Sequence, residues 1–149
     1  MVRVSGIITA LFLLFPLSQA MAGDSPQEQR HELMEDSKGA AKSIGGMLKG
    51  EVDFDAGLAM ESLKTWQGVG ADFGGLFPAG TETGHDTEAS PAIWTDRAGF
   101  DEELSKFNAA VDAAIKANPT SLAELKPAAG PIFKSCKSCH EGYRVEEED

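Results

Sequence analysis

Cysteine is nearly absent from this chain of 149 residues, and its two cysteines stand close together, at Cys136 and Cys139. A fold stabilised by several disulfides is therefore excluded. A disulfide between these two is also disfavoured, because they would share one helical turn and structural bridges usually close longer loops. The pair must be explained in another way.

Long hydrophobic runs are also lacking. The apolar run at residues 7–17 is too short to span a bilayer, which takes about 20 apolar residues. It follows Arg3 and precedes small residues ending at Ala22, a pattern typical of a cleaved secretory signal. We therefore predict a signal peptide over residues 1–22 and an exported mature domain of residues 23–149, with no membrane span after cleavage. Cleavage two residues earlier and an uncleaved anchor are the alternatives.

Basic residues are scarce. The chain has 13 Lys and Arg against 24 Asp and Glu, and a formal net charge of -11 at pH 7. This balance argues against binding to nucleic acid, whose phosphates require Lys and Arg. A protein partner would be expected to present a basic surface. The length allows one domain with a real core and leaves no room for a second of ordinary size.

No segment shows a convincing strand alternation, whereas apolar residues recur at intervals of three and four in four segments. We predict helices over residues 26–49, 53–73, 90–118 and 121–143, with one long loop at residues 74–90. One long and two short connections indicate an antiparallel four-helix bundle, an all-α fold that builds cofactor sites between facing helices.

The last predicted helix contains two prolines. Ser121 and Glu124 have the spacing of a capping box, which predicts a start at Ser121. Pro127 and Pro131 lie beyond that start, and proline removes a helical hydrogen bond. The sequence leaves open whether this helix is kinked early or begins only near Pro127.

Both cysteines lie in the stretch "KSCKSCHEGYR", in which His140 directly follows Cys139. On a helix, Cys136, Cys139 and His140 project to nearly one face, which is also the apolar face. C-x-x-C-H is the sequence form of covalent haem attachment: the two thiols add to the haem vinyl groups, and the imidazole ligates the iron. The spacing therefore predicts one covalent haem c per chain, with His140 as the proximal ligand.

Two other chemistries use similar residues. A thioredoxin-like C-x-x-C motif would need a strand leading into a helix in an α/β pattern, which this sequence lacks. A zinc site would need a fourth ligand from His31, His85 or a carboxylate. Both alternatives remain only if haem is absent.

The stretches "CKSCHEGYR", "PAIW" and "RHELM" together resemble the class II c-type cytochromes, the cytochrome c prime family, over residues 26–144. The position of the motif near the C-terminus distinguishes them from class I cytochromes c. The resemblance implies a periplasmic haem protein, an antiparallel four-helix bundle with haem c attached on the C-terminal helix, and a homodimer packed through the first two helices.

The resemblance also implies further contacts of the haem. Arg144 would lie near the proximal imidazole; the alternative role for this cation is to satisfy carbonyls at the helix end. Arg30 would pair with a haem propionate. Met34 would either cover the other haem face as a steric lid or ligate the iron as a sixth ligand. Residues near the haem edge would be His31, Thr81, Glu82 and Asp86.

Two functions follow from these residues. The sequence shows no converging nucleophile, base and orienting carboxylate and no glycine-rich phosphate loop, so we do not expect an enzyme. The leading interpretation is one-electron transfer through the haem to a redox partner protein. The alternative is a five-coordinate haem protein that binds nitric oxide or carbon monoxide for sequestration or sensing.

Overall fold

The computed structural model describes residues 25–145, so the predicted signal peptide lies outside the described residues. Four long helices and one single-turn helix account for most of this span. They are α1 (Pro26–Lys49), α2 (Ala56–Phe73), α3 (Ala92–Thr95), α4 (Arg97–Ala117) and α5 (Leu122–Tyr143), with a 3-10 turn at Gly74–Leu76 after α2. The four long helices form the predicted antiparallel bundle. Within residues 25–145, no helix is long and apolar enough to cross a membrane.

Local sequence chemistry fixes both ends of α1. The Ser25 hydroxyl accepts a hydrogen bond from Glu28 N at 3.2 Å, and the Glu28 carboxylate accepts one from Ser25 N at 2.7 Å. These reciprocal bonds form a capping box, and Pro26 adds a residue whose φ suits the first turn. The helix ends at Gly50, whose φ of 73° lies in the left-handed region that glycine adopts without strain.

The third predicted helix is divided in two, which corrects the sequence prediction of one helix from about residue 90. The single turn α3 ends at Asp96, which has φ of -127° and ψ of 57°. The Asp96 carboxylate accepts a hydrogen bond from Gly99 N at 3.2 Å and so starts α4 as a new helix. An acidic N-cap inside a run of helical spacing is the physical reason for the break.

Helix α5 is continuous through both prolines. It begins at Leu122 after the Ser121 cap and reaches Tyr143 with Pro127 and Pro131 inside. A start near Pro127 is therefore excluded. Because helical bonds run from N–H to the carbonyl four residues earlier, the two prolines leave the carbonyls of Ala123 and Pro127 without those partners.

The main core fills the half of the bundle around the short loops. Trp66 is fully buried there, packs edge to face on Phe133 at 5.6 Å between ring centroids, and donates from Nε1 to Ser37 O at 3.1 Å. The other fully buried large side chains of this core are Ile44, Met47, Leu63, Val111, Leu125 and Ile132.

A second, aromatic cluster occupies the opposite end of the bundle. Phe100 of α4 is its centre and packs on Phe77 at 5.0 Å, Tyr143 at 5.5 Å and Phe73 at 6.4 Å between ring centroids. Trp94 packs on Phe77 at 5.6 Å. This cluster joins the end of α5, which carries the cysteine pair, to the start of α4 and the end of α2.

Candidate haem site

The cysteine pair and the histidine lie on the last two turns of α5. Cys136 and Cys139 are free thiols and half-buried, and Cys136 packs against the main core. His140 is exposed one position further on. The helix therefore carries the three groups at the positions i, i+3 and i+4, as the motif predicts.

The electrostatic surroundings of the thiols do not favour redox or metal chemistry of the cysteines alone. Burial raises the pKa of Cys136, and burial together with Glu103 raises the pKa of Cys139 to about 11. Reactive cysteines instead have a lowered pKa and an electropositive environment. Within residues 25–145, no group of three or more His, Cys, Asp and Glu side chains is placed to hold a metal ion.

Arg30 is the buried charge of the site. It lies on the first turns of α1 and is 5% exposed, and its Nη2 donates to Thr81 O at 2.7 Å. Its guanidinium carbon stands 4.6 Å from the ring centroid of Phe77 and 5.7 Å from that of Trp94. Among the described residues, its Nε and Nη1 have no hydrogen-bond partner. Burial lowers the pKa of Arg30, and the carboxylate of Glu82 opposes this effect.

A buried guanidinium with two unpartnered nitrogens calls for an anion. Leaving charged donors unpaired in a buried site costs about 3–5 kcal/mol. A haem propionate is an anion of the right size and charge, and Arg binds carboxylates through two parallel N–H groups. The residues present therefore fit haem: two thiols and an imidazole on α5 can hold it, and Arg30 can bind its acidic edge.

The predicted loop residues dock onto the start of α1. The Thr81 carbonyl accepts the hydrogen bond from Arg30, and Gln27 Nε2 donates a hydrogen bond to Thr83 O at 3.1 Å. His85 Nδ1 stands 3.7 Å from the Glu28 carboxylate, so the loop histidine pairs with an acid at the surface. Three successive points of α1 thus hold the loop beside Arg30.

The remaining residues predicted for the haem edge differ in burial. Glu82 is half-buried and acts electrostatically on Arg30, as stated above. His31 and Asp86 are both exposed. Thr81 and Glu82 therefore lie at the Arg30 side of the site, whereas His31 and Asp86 lie on the surface of the described protein.

Met34 follows Arg30 by one helical turn on the same side of α1. Its side chain is half-buried. Further along the same side of α1, the Ser37 carbonyl accepts a hydrogen bond from Trp66, and Ala41 packs against the main core. Residues four apart on a helix lie above one another, so Met34 stands between Arg30 and that core. Met34 therefore shares the side of α1 that carries Arg30.

Arg144 lies just beyond the helix, which changes its predicted setting. It is the C-cap residue of α5, with extended φ of -115° and ψ of 139°, and its Nε lies 3.4 Å from the Glu88 carboxylate. Arg144 follows His140 by four residues, but its extended backbone takes it off the helical face that carries His140. Partial desolvation and the charge of Arg144 lower the pKa of His140, and Glu88 opposes them.

Two carboxylates near the motif were not predicted from the sequence. One is Glu88, which pairs with Arg144. The other is Glu103 of α4, which accepts a hydrogen bond at 2.5 Å from Ser138, a residue between the two cysteines in the sequence. Lys106 also donates to Glu103 at 2.8 Å, and together these bonds lower the pKa of Glu103. Neither residue has a local sequence signal, because both contacts join distant parts of the chain.

Comparison with known proteins identifies the family of this chain. The family model described as Cytochrome C' matches residues 25–144. The cytochrome c' of Rhodopseudomonas palustris is 38% identical over 117 residues, which cover 78% of this chain and 80% of that protein. The cytochrome c-556 of the same organism is 33% identical over 145 residues, which cover 95% of this chain and 97% of the relative.

The solved structures give the same result for the fold. The structure of cytochrome c' from Rhodopseudomonas palustris superposes with a TM-score of 0.80 at 36% sequence identity, and the match covers 85% of this chain and 100% of the other. Such a match over the whole bundle confirms the predicted all-α, four-helix fold. The chain therefore belongs to the cytochrome c' family, whose cofactor is covalently attached haem c.

Proposed function

We propose that the protein is a periplasmic one-electron carrier with a single haem c as its redox centre. When bound, the haem supplies an iron that accepts and returns one electron. The observation that carries the proposal is the placement of Met34 one turn after the buried Arg30, on the inward side of α1. If the Met34 sulfur bound the iron, it would raise the reduction potential of the haem, which suits electron transfer.

Each residue of the site has a defined task in this proposal. Cys136 and Cys139 hold the haem covalently, which prevents its loss from a small bundle outside the cytoplasm. His140 binds the iron, and Arg30 neutralises a propionate through its two unpartnered nitrogens. Thr81 fixes the orientation of the Arg30 guanidinium through its carbonyl.

Attachment is tested by producing the chain together with haem-maturation machinery and recording its visible spectrum. We expect a haem band that stays with the polypeptide after extraction with acidified acetone. The double variant with Cys136→Ser and Cys139→Ser should release any bound haem into the solvent, because neither thioether bond can form. A wild-type chain without any haem band would contradict the proposal and return the thiol and zinc chemistries.

Met34 separates electron transfer from gas binding. Met34→Leu keeps the volume but removes the sulfur, and Met47→Leu in the main core is the matched control. If the sulfur ligates iron, the wild-type reduced spectrum has sharp, separated bands, and only Met34→Leu changes them and lowers the potential. If both variants keep the wild-type spectrum, axial ligation is excluded.

Binding of a small gas such as nitric oxide or carbon monoxide is the second candidate function. The half-buried side chain of Met34 favours it, because methionine is unbranched and flexible enough to act as a movable cover. In that case the reduced wild-type protein has a broad band that shifts on addition of carbon monoxide. Met34→Ala should then speed the shift by opening access, while Met47→Ala should leave the rate unchanged.

The electron partner should carry a basic surface. The net charge of the chain is -11, and opposite charges on two proteins speed their encounter. Salt weakens this attraction, because at 0.1 M it screens charges more than about 10 Å apart. We expect the second-order rate of electron exchange with a basic partner protein to fall as salt rises. A rate that does not depend on ionic strength would contradict this part of the proposal.

We further propose that the protein forms a homodimer that packs through α1 and α2. A surface groove of about 460 Å³ lies between these helices, where Leu33 and Leu76 adjoin Glu32, Asp36 and Asp72. Because like charges would face one another across such a dimer, association should strengthen with added salt. Sedimentation that shows only monomer at every salt concentration would contradict it.

A further inference from the structure

The end of α5 is fastened to the loop before α3 by a short antiparallel bridge between Ala89 and Arg144. Ser90 N donates to Tyr143 O at 3.0 Å, and Val145 N donates to Glu88 O at 2.9 Å. These two bonds flank the bridge on both sides. The backbone of Glu88 is therefore held in register with the residues that directly follow the haem motif.

Side chains reinforce this bridge with opposite charges. The Glu88 carboxylate lies 3.4 Å from Arg144 Nε, and both side chains are about half exposed, at 49% and 48%. Arg144 N also donates to His140 O at 3.2 Å, which ties the arginine backbone to the residue that would bind iron. The guanidinium and the carboxylate therefore lie close enough to the His140 imidazole to act on it electrostatically, with opposite signs.

We propose that Glu88 tunes the haem site: its carboxylate offsets the positive charge of Arg144, which the backbone bridge keeps near His140, and so lowers the reduction potential of the bound haem. This inference rests on the proposed function, because it requires iron at His140. Glu88 does not contact the reacting atoms. It acts through Arg144 and through its own charge.

The sign of the effect follows from the charge change at the iron. Reduction adds one negative charge, so a nearby carboxylate favours the oxidised form and a nearby guanidinium favours the reduced form. Removing Glu88 should therefore raise the potential, and removing Arg144 should lower it. Because the pair is partly exposed, salt should weaken both effects.

The experiment compares the haem-loaded wild type with Glu88→Gln, Arg144→Gln, the double variant and the control Glu51→Gln. Glu51 is an exposed carboxylate 3.8 Å from Lys49 at the opposite end of the bundle, so its substitution makes the same charge change far from His140. Midpoint potentials are measured by spectroelectrochemical titration at low and high salt. Amide hydrogen exchange of Ser90 and Val145 reports whether the bridge persists.

At low salt, Glu88→Gln should raise the ratio of reduced to oxidised protein about threefold at a fixed applied potential. This corresponds to a rise of about 28 mV in the midpoint potential, since a tenfold change equals about 59 mV for one electron. Arg144→Gln should change the ratio in the opposite direction, the double variant should lie near the wild type, and Glu51→Gln should change nothing. High salt should shrink the differences while Ser90 and Val145 keep their protection.

Two results would overturn the inference. One is a Glu88→Gln potential equal to that of Glu51→Gln. The other is a shift that persists at high salt and accompanies lost protection of Ser90 and Val145, because the shift would then come from a detached loop. A wild-type chain that binds no haem is a different result, since it contradicts the proposed function itself.

Discussion

Replacing the buried charge of Arg30 should destabilise the haem-loaded protein strongly. In Arg30→Met, the side chain keeps much of its length and loses its cation, so Thr81 O loses a 2.7 Å charge-assisted donor. A propionate bound at the other two nitrogens would be left buried without its counter-charge. Breaking one side of a buried ion pair costs about 3–5 kcal/mol, and regained apolar packing offsets part of it, so we expect a loss of about 3 kcal/mol in the free energy of unfolding.

The matched control is Arg97→Met at the same end of the bundle. Arg97 is 44% exposed, pairs with Asp101 at 2.8 Å and donates to Gly74 O at 2.8 Å. Exposed pairs contribute little, so its loss should be under about 1 kcal/mol. Arg30→Lys should fall between the two, because it keeps the charge but not the planar fork.

Urea unfolding of the haem-loaded variants, followed by circular dichroism and by haem absorbance, measures these differences. Covalent attachment keeps the haem on the chain throughout, so the free energies refer to folding alone. Equal losses in Arg30→Met and Arg97→Met would refute the reasoning. They would mean that no buried anion engages the free nitrogens of Arg30.

Three further substitutions test the packing, each by urea unfolding of the haem-loaded chain. Leu63→Ala empties a fully buried site and should cost about 2–5 kcal/mol; Leu58→Ala, at a residue 39% exposed, should cost under about 1, and similar losses would contradict the assigned core. Gly70→Ala places a methyl group against the Asn108 side chain and should cost about 1–3 kcal/mol, so an unchanged midpoint would show that Asn108 moves freely. Asp96→Ala removes the α4 cap and should cost about 1–2 kcal/mol, whereas Asp96→Asn should retain most of the stability; equal losses would assign the effect to charge alone.

Elements that depend on neighbouring residues were predictable from the sequence. The ends of α1 follow from Ser25, Glu28 and Gly50, whose chemistry acts within a few positions. The attachment motif is equally local, since C-x-x-C-H carries its geometry on one helix. The break at Asp96 was missed because Trp94 and Phe100 continue the apolar spacing across it, and the spacing alone does not show that the carboxylate turns back to cap a new helix.

Contacts between distant parts of the chain were not predictable in this way. Arg30 was assigned to a propionate by resemblance, but its burial against Phe77 and Trp94 appears only when the loop folds over α1. The pairing of Arg144 with Glu88 joins residues that are far apart in sequence, and it depends on the bridge at Ala89. Periodicity describes which face of a helix is apolar, and it does not describe which loop covers that face.

The division of the core into two clusters has a consequence for how the bundle opens. The half that contains Ile44, Leu63 and Ile132 is apolar and fully buried, whereas at the aromatic end the buried Arg30 keeps two nitrogens without a hydrogen-bond partner among the described residues. Amide protection should therefore decline along the bundle axis, with the aromatic end fraying first while the other half stays closed. Such a gradient would let the aromatic end open to admit haem without global unfolding. Binding of a haem propionate by Arg30 would then close this end again.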